Sequence, residues 1–303
     1  MRIQVIINDR AGTVVGADAE AIAEDVTRIL EAAGHDVETA TTKPEQLQPA
    51  LERVRAAQAD ALVIGGGDGT VRSAAAAVLD TSTALGVLPL GTINRFARDL
   101  EIPLDYEAAA RTLSRSIIKQ VDVAEVNGRV FLCNAILGLT TRFSTERQKL
   151  RGKPAADRLV GYFSAARNLL NARRRMPIRI DDGISAMELR VLSLVITNNA
   201  YADEASLSMR RPQLDGGALA AYASRHESGW KMAASAVRAL LGRLDGDPDV
   251  VHLTSPSLTV DVPMRRTVPL SIDGEVEHLE APLAFTLRPK ALRVLTPSPD
   301  RDT

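Results

Sequence analysis

The sequence predicts an α/β N-terminal domain on a doubly wound parallel sheet, followed by a mostly antiparallel β-sandwich. Three observations predict it. Over about the first 120 residues, apolar strand-like runs alternate with helical patterns, the signature of parallel strands joined by crossover helices. Near Gln120 the alternation gives way to short strand-like runs separated by turn formers, the pattern of a sandwich. Finally, 303 residues at 45% hydrophobic and 25% charged make one large domain or two ordinary ones with a real core.

The elements follow in order. RIQVIIN, from Arg2 to Asn8, reads as a buried strand. ADAEAIAEDVTRILEAAGHD reads as a helix that stops near Gly34, and DVETA as a second, short strand. KPEQLQPALERVRAAQAD reads as a second helix, with Pro44 near its first turn, where a missing N–H costs little. ALVIG is a third strand, VRSAAAAVLD a third helix and ALGVLPL a fourth strand.

From Gln120 onward, VDVAEV, RVFLCNAI, PIRID, ELRVLSLVITNN, GALAAYAS, SLTVDV, VPLSIDGE and LAFTLR each read as strand. Asn127-Gly128 and Asp182-Gly183 supply turns between them, and a helical insertion is expected at about 155–172. The expected domains are 1–122 and 123–285, with the last segment, about 286–303, returning to the first. The tail after Thr296, TPSPDRDT, reads as disordered.

Composition narrows the function. A formal net charge of -1 gives no nucleic-acid signal. The single cysteine, Cys133, rules out an intrachain disulfide and points to a reducing compartment. The first strand-like run begins at Arg2, which leaves no room for a leader, and no apolar run approaches the ~20 residues of a membrane span. The expected location is cytoplasmic. The four histidines, at 35, 226, 252 and 278, show no ligand spacing, so a zinc site is not expected. Between Arg142 and Arg175, ten Arg or Lys face two acids, and Leu159, Phe163, Ala166 and Leu170 form an apolar stripe at helical spacing. Such a helix either lies on an anionic membrane, at the inner face, or packs its stripe and leaves its basic side solvated. Both readings stay open, as does the oligomeric state, a homodimer included.

The chemistry concentrates in LVIGGGDGTVRSAAAAV, from Leu62 to Val78, where four glycines and one carboxylate sit between a strand and a helix. Such a junction presents backbone N–H groups and the positive end of the helix dipole, which suits phosphate. Asp68 would repel phosphate unless it holds a water-bound Mg²⁺ or a substrate hydroxyl beside it. The alternative is a tight turn with Asp68 as N-cap. The stretch lacks the GK[ST] ending of a Walker A loop. LGVLPLGTINRFARDL forms a second such junction, with Gly91-Thr92 before a helix carrying Asn94, Arg95, Phe96 and Arg98. In a doubly wound sheet the carboxyl ends of neighbouring strands face one crevice, so the two Gly-Thr turns suggest one nucleotide site.

GGGDGTV followed about twenty residues on by PLGTINRFARDLEIP resembles the diacylglycerol kinase catalytic-domain family, which includes bacterial lipid kinases and sphingosine kinases and is distantly related to NAD kinases. VFLCNAILGL, ITNNAYADEASLSMRRPQLDGGALAAY and SIDGEV are similar to further motifs of that family, in family order. The resemblance implies an ATP-binding catalytic domain at 1–122 and a lipid-acceptor domain at 123–285. It implies ATP and Mg²⁺ as cofactors and a lipid, diacylglycerol first, as acceptor. ATP is then expected at Gly66, Gly67, Asp68, Gly69, Thr70 and Thr92, with Asn8 and Thr41 nearby, and Gly91 and Asn94 belong to the second turn. The resemblance makes Asp273 and Glu275 catalytic. Two residues apart on one strand they would share a face, one taking the acceptor proton and the other orienting it or binding metal. Alone, IDGE would read as a β-turn. Asp215 matches the first aspartate of the family's LDDG metal segment.

Departures are informative. Asp9 stands where the family usually has proline, Arg72-Ser73 where it has Asn-Glu, Arg95 where it has aspartate, and Gly216 where LDDG has its second aspartate. Arg72 and Arg95 are expected to supply phosphate-binding charge. Two other functions remain open: an NAD kinase-like enzyme, and a non-enzymatic nucleotide-binding regulator with a degenerate kinase site.

Overall fold

The computed structural model describes residues 1–12, 18–57, 59–139, 141, 167, 170–201, 211–240 and 247–299. The chain divides into two compact units: Met1–Val123 with the chain from Pro289 onward, and Ala124–Arg288.

The first unit alternates strand and helix: β1 (Arg2–Asn8), α1 (Ala19–Ala32), β2 (Asp36–Thr42), α2 (Leu47–Ala57), β3 (Ala61–Gly66), α3 (Asp68–Val78), β4 (Ala84–Pro89), α4 (Arg95–Asp99) and α5 (Tyr106–Leu113). A 3₁₀ turn, Pro44–Gln46, precedes α2. The strands lie in the order β2-β1-β3-β4, all parallel. Beside β4 runs the second half of the last strand, with Val294 opposite Leu85 in parallel register. Strands β3 and β4 are buried along their whole length, which is why they read as unbroken apolar runs. β2 is an edge strand, and its sequence DVETATT is accordingly polar. Helix α1 buries Ile22, Ala23, Val26 and Leu30 and packs on α5, while α3 buries Val71, Ala74, Ala75 and Val78 and packs on α2. The order reverses between β1 and β3. This is the switch point of a doubly wound sheet, where ligands bind beyond the carboxyl ends of the strands.

The second unit begins in β5 (Ile117–Val126) and continues through β6 (Arg129–Phe131), β7 (Asn134–Gly138), β8 (Met176–Asp181), β9 (Ala186–Val191), β10 (Ser193–Asn198), β11 (Leu219–Ser224), α6 (Gly229–Leu240), β12 (Val250–Ser255), β13 (Ser257–Asp261), β14 (Thr267–Ile272), β15 (Glu275–Glu280) and the first half of β16 (Leu283–Thr296). Within it, β16-β13-β8-β9 form an antiparallel run, and a six-stranded antiparallel sheet has the order β12-β11-β10-β7-β14-β15. Inward side chains of both sheets share one core, Ile178, Val260 and Phe285 from one layer with Leu194, Ile196, Leu270 and Ile272 from the other. Phe131 and Phe285 meet edge-to-face, ring centroids 6.3 Å apart; burying each contributes about 1.5–3 kcal/mol.

Three sequence expectations need correction. RVFLCNAI is two strands, β6 and β7, separated by Leu132-Cys133. ELRVLSLVITNN is also two, β9 and β10, which part at Leu192 and enter different sheets. In both cases apolar composition runs on through a change of layer, because both layers are buried. VPLSIDGE is likewise no single strand: Asp273 (φ 48°) and Gly274 (φ 90°) form the two-residue turn between β14 and β15. The Asn127-Gly128 turn forms as expected, with φ of 47° and 76°. The helical insertion, the basic run of 142–175 and the end of the tail lie largely outside the described residues.

Candidate functional site

The glycine loop follows β3 at the switch point. Gly67 is the N-cap of α3, in extended backbone, and Asp68 is the first helical residue, three positions before the helix expected from sequence. Asp68 is therefore not an N-cap. The first helical bond runs from Val71 N–H to the Gly67 carbonyl at 3.0 Å, so the N–H groups of Asp68, Gly69 and Thr70 have no partner within the helix. Thr70 folds back over the loop: a Cβ on Gly66 would stand 2.6 Å from its side chain. The Thr70 hydroxyl accepts from Asn8 Nδ2 at 3.0 Å, and Asn8 Oδ1 accepts from Arg10 N at 3.0 Å. Asn8, 8% exposed at the end of β1, thus spends its side chain on tying that strand end to the first turn of α3.

The second turn is packed against the first. Gly91 has its α-carbon where a Cβ would lie 2.4 Å from Gly67 Cα and 2.7 Å from Asn94 Oδ1. Asn94 is buried in the left-handed conformation (φ 52°) at the start of α4. It accepts from Gly91 N at 2.8 Å and donates to the carbonyls of Pro89 at 3.0 Å and Gly91 at 2.8 Å. An amide used this fully shapes the turn on which Asn94 is expected to meet the nucleotide. Asp68 Oδ1 accepts from Phe96 N at 3.4 Å, linking the starts of α3 and α4. Thr92 is exposed, and Arg72 and Arg95 are partly exposed. Thr41 is exposed on edge strand β2, one strand removed from β3, and lines a groove with Glu20, Glu24 and Arg28 of α1.

In the second unit the Asp273-Gly274 turn corrects the expected strand geometry. Asp273 does not share a strand with Glu275. Its carboxylate accepts from the backbone N–H groups of Leu132 (2.8 Å), Cys133 (2.8 Å) and Asn134 (2.9 Å), and its own N–H donates to the Asn134 carbonyl at 2.9 Å. A carboxylate with three backbone donors is an anchor for the turn. Glu275 opens β15, half-buried, opposite Ile272 and on the same face as that core residue.

Asp215 is exposed in the loop before β11. Beside it, a Cβ on Gly216 would stand 2.8 Å from Asn199 Oδ1. Asn199 is 3% exposed, has φ 67°, and its Oδ1 finds no hydrogen-bond partner among the described residues. Asn199 Oδ1, beside Gly216, and the carboxylate of Asp215, the residue before it, are both oxygen ligands of the kind a hard cation such as Mg²⁺ takes.

Comparison with known proteins follows the same lines. The profile of the diacylglycerol kinase catalytic domain matches residues 2–126. Over residues 2–126 the chain is similar to that family. Diacylglycerol kinase of Staphylococcus epidermidis is 28% identical over 207 residues, 65% of this chain and 63% of that protein. Diacylglycerol kinase of Bacillus subtilis is 29% identical over 204 residues, 65% of this chain and 66% of that protein. The chain thus spans slightly under two thirds of the length of these relatives. A Yersinia pestis protein named "Probable lipid kinase YegS-like" is 40% identical over 90 residues, 28% of this chain and 30% of that protein. The fold matches the crystal structure of a diacylglycerol kinase from Bacillus anthracis with a TM-score of 0.73 at 19% identity, over 98% of this chain and 97% of that one.

Within residues 2–126 the structure brings Asn8, Gly66, Gly67, Gly69, Thr70, Gly91 and Asn94 together; Thr41 stands apart on the sheet edge. Sequence reasoning missed Arg211, buried in the second unit against the segment that Asp273 anchors. It also missed His226, whose imidazole bonds Ser224 Oγ at 2.8 Å and Asp247 at 3.0 Å, with Asp249 close by. Both ring nitrogens of His226 are satisfied, so the cluster is accounted for without an ion. Among the described residues no helix is long and apolar enough to cross a membrane.

Proposed function

We propose that this chain is an ATP-dependent lipid kinase that transfers the γ-phosphoryl group to the hydroxyl of an apolar acceptor, diacylglycerol first. The observation that carries the reading is the glycine loop at the switch point, with a second glycine turn packed on it backbone to backbone. In this reading the backbone N–H groups of Asp68, Gly69 and Thr70 and the dipole of α3 receive the nucleotide phosphates. Gly66, Gly67 and Gly91 admit the close approach, and Asn8 and Asn94 hold the loops to shape. Arg72 and Arg95, both partly exposed, add positive charge beside the two glycine turns.

The chemistry asks little covalent work of the protein. The acceptor oxygen attacks γ-phosphorus in line, the bond to the β-phosphate oxygen breaks, and the acceptor proton must be removed. Glu275 is assigned as the base that takes it, Asp273 as the residue that fixes the turn from which Glu275 projects, and Asp68 as the organiser of metal or acceptor beside the phosphates. Bound Mg²⁺ would neutralise phosphate charge, and Asp215 with Asn199 would hold a further, structural ion.

Incubation with labelled ATP and a total lipid extract, with NAD offered in parallel, tests the reading. A labelled phospholipid is the expected product. Labelled NADP instead supports an NAD kinase-like enzyme. ATP binding by calorimetry without transfer to any acceptor supports a regulator. Asp68→Asn and Glu275→Gln are each expected to abolish transfer and leave the fold intact; activity retained in both would sink the mechanism.

A further inference from the structure

Arg211 is 1% exposed, the largest of the fully buried side chains among the described residues. A buried guanidinium is expensive unless each face of its charge is answered by an acceptor. Its Nη1 donates to the carbonyls of Leu132 at 2.6 Å and Asn198 at 2.7 Å, and its Nη2 lies 3.4 Å from Cys133 Sγ. Asn198 reinforces the grip, with Nδ2 donating to the Leu132 carbonyl at 3.1 Å and its backbone N–H to the Cys133 carbonyl at 3.1 Å. The opposite edge of the same peptide unit belongs to Asp273: Cys133 N–H donates to Asp273 Oδ1 at 2.8 Å. One peptide group therefore carries a cation on its oxygen and a carboxylate on its N–H. The two charges polarise it in the same sense, so each strengthens the other's hydrogen bond.

We propose that Arg211 is a positioning residue of the phosphoryl-transfer site, holding the Asp273-Gly274 turn, and through it Glu275, by way of the Leu132–Cys133 peptide. This rests on the lipid-kinase reading above. Arginine suits the task because one terminal nitrogen, Nη1, meets both carbonyls while the second, Nη2, reaches Cys133 Sγ, a planar spread of donors that a single lysine ammonium does not cover.

The experiment uses the full chain with Arg211→Lys, Arg211→Gln, Asp273→Asn and the Arg211→Lys/Asp273→Asn pair, and follows kinetics, ATP affinity and amide hydrogen exchange. ATP affinity, a property of the first unit, is expected to stay unchanged in all four. Arg211→Lys should lower kcat roughly 10²-fold, the scale of a misplaced catalytic group, with the KM for ATP unmoved. The pair should be no slower than Asp273→Asn alone, because both changes break one relay. Exchange at the amides of Leu132, Cys133 and Asn134 should rise about tenfold in Arg211→Lys and Arg211→Gln, with strands β1 and β3 unaffected. Wild-type kcat in Arg211→Lys, multiplicative effects in the pair, unchanged exchange, or loss of ATP binding in both arginine variants would each overturn the assignment. A wild-type chain that phosphorylates no lipid defeats the lipid-kinase reading instead, and the exchange measurement then still decides whether Arg211 holds the turn.

Discussion

Gly67 and Gly91 pack backbone on backbone: a Cβ on Gly91 would lie 2.4 Å from Gly67 Cα. The contact joins the loops after β3 and β4 into one surface, and the atom it meets is main chain, which cannot swing aside as a side chain can. Gly91→Ala must therefore push the loops apart. Overpacking of this kind costs roughly 1–3 kcal/mol, and ATP affinity should fall at least about tenfold as the N–H groups of the first turn of α3 lose their arrangement. Thermal melting and calorimetric ATP titration check both effects. Gly34→Ala is a useful contrast, since its Cβ would meet nothing within 4 Å and its only cost is the left-handed φ of 84°.

Asn94 supplies a second test. Three hydrogen bonds converge on its buried amide, and its backbone is left-handed. Asn94→Ala leaves the Gly91 N–H and two carbonyls without this partner, a loss of roughly 1–3 kcal/mol, and weakens ATP binding through the deformed turn. A group that only touched nucleotide would lose affinity and leave stability alone. A melting temperature equal to wild type, with affinity reduced, would return Asn94 to the role of ligand contact.

How legible this was in the sequence depends on which physics set each feature. The α/β half could be read because its strands are buried on both sides and its helices amphipathic, so period and composition agree, as in ALVIGG and in the Ile22, Val26, Leu30 stripe. The glycine turns could be read because few arrangements need four glycines around one aspartate. Strand ends in the second unit could not, since Leu132-Cys133 and Leu192 stay buried while the chain changes layers and composition does not register the change. The roles of Asn94 and Asp273 were hidden for a related reason. Polar side chains in motifs look alike whether they face a ligand or brace the backbone, and only their hydrogen-bond partners tell the two apart. Arg211 left no sequence signal, because a charged residue in a polar run reads as solvated.

Asp215 and Asn199 make a prediction about metal. Gly216 gives way to no side chain without striking Asn199 Oδ1, which is buried and unsatisfied among the described residues. If Mg²⁺ completes that oxygen, millimolar Mg²⁺ should raise the melting temperature by mass action on the folded state. The rise should be lost in Asp215→Asn and in Asn199→Ala. Gly216→Asp should lower stability in the absence of metal. An identical Mg²⁺ response in wild type and all three variants would place the ion elsewhere.

Asp273 and Glu275 are separated by the same reasoning, and their variants should fail differently. Asp273 bonds three backbone N–H groups, so Asp273→Asn trades a charge-assisted acceptor for an amide that offers one oxygen and a misplaced donor pair. Stability and kcat should both fall, the former by about 1–3 kcal/mol. Glu275 opens β15 beside the turn, and Glu275→Gln keeps its shape while removing its basicity. Its melting temperature should stay within a degree or two of wild type while kcat drops roughly 10²–10⁴-fold, the usual worth of a general base. A Glu275→Gln chain that keeps the wild-type kcat would assign proton removal to another group.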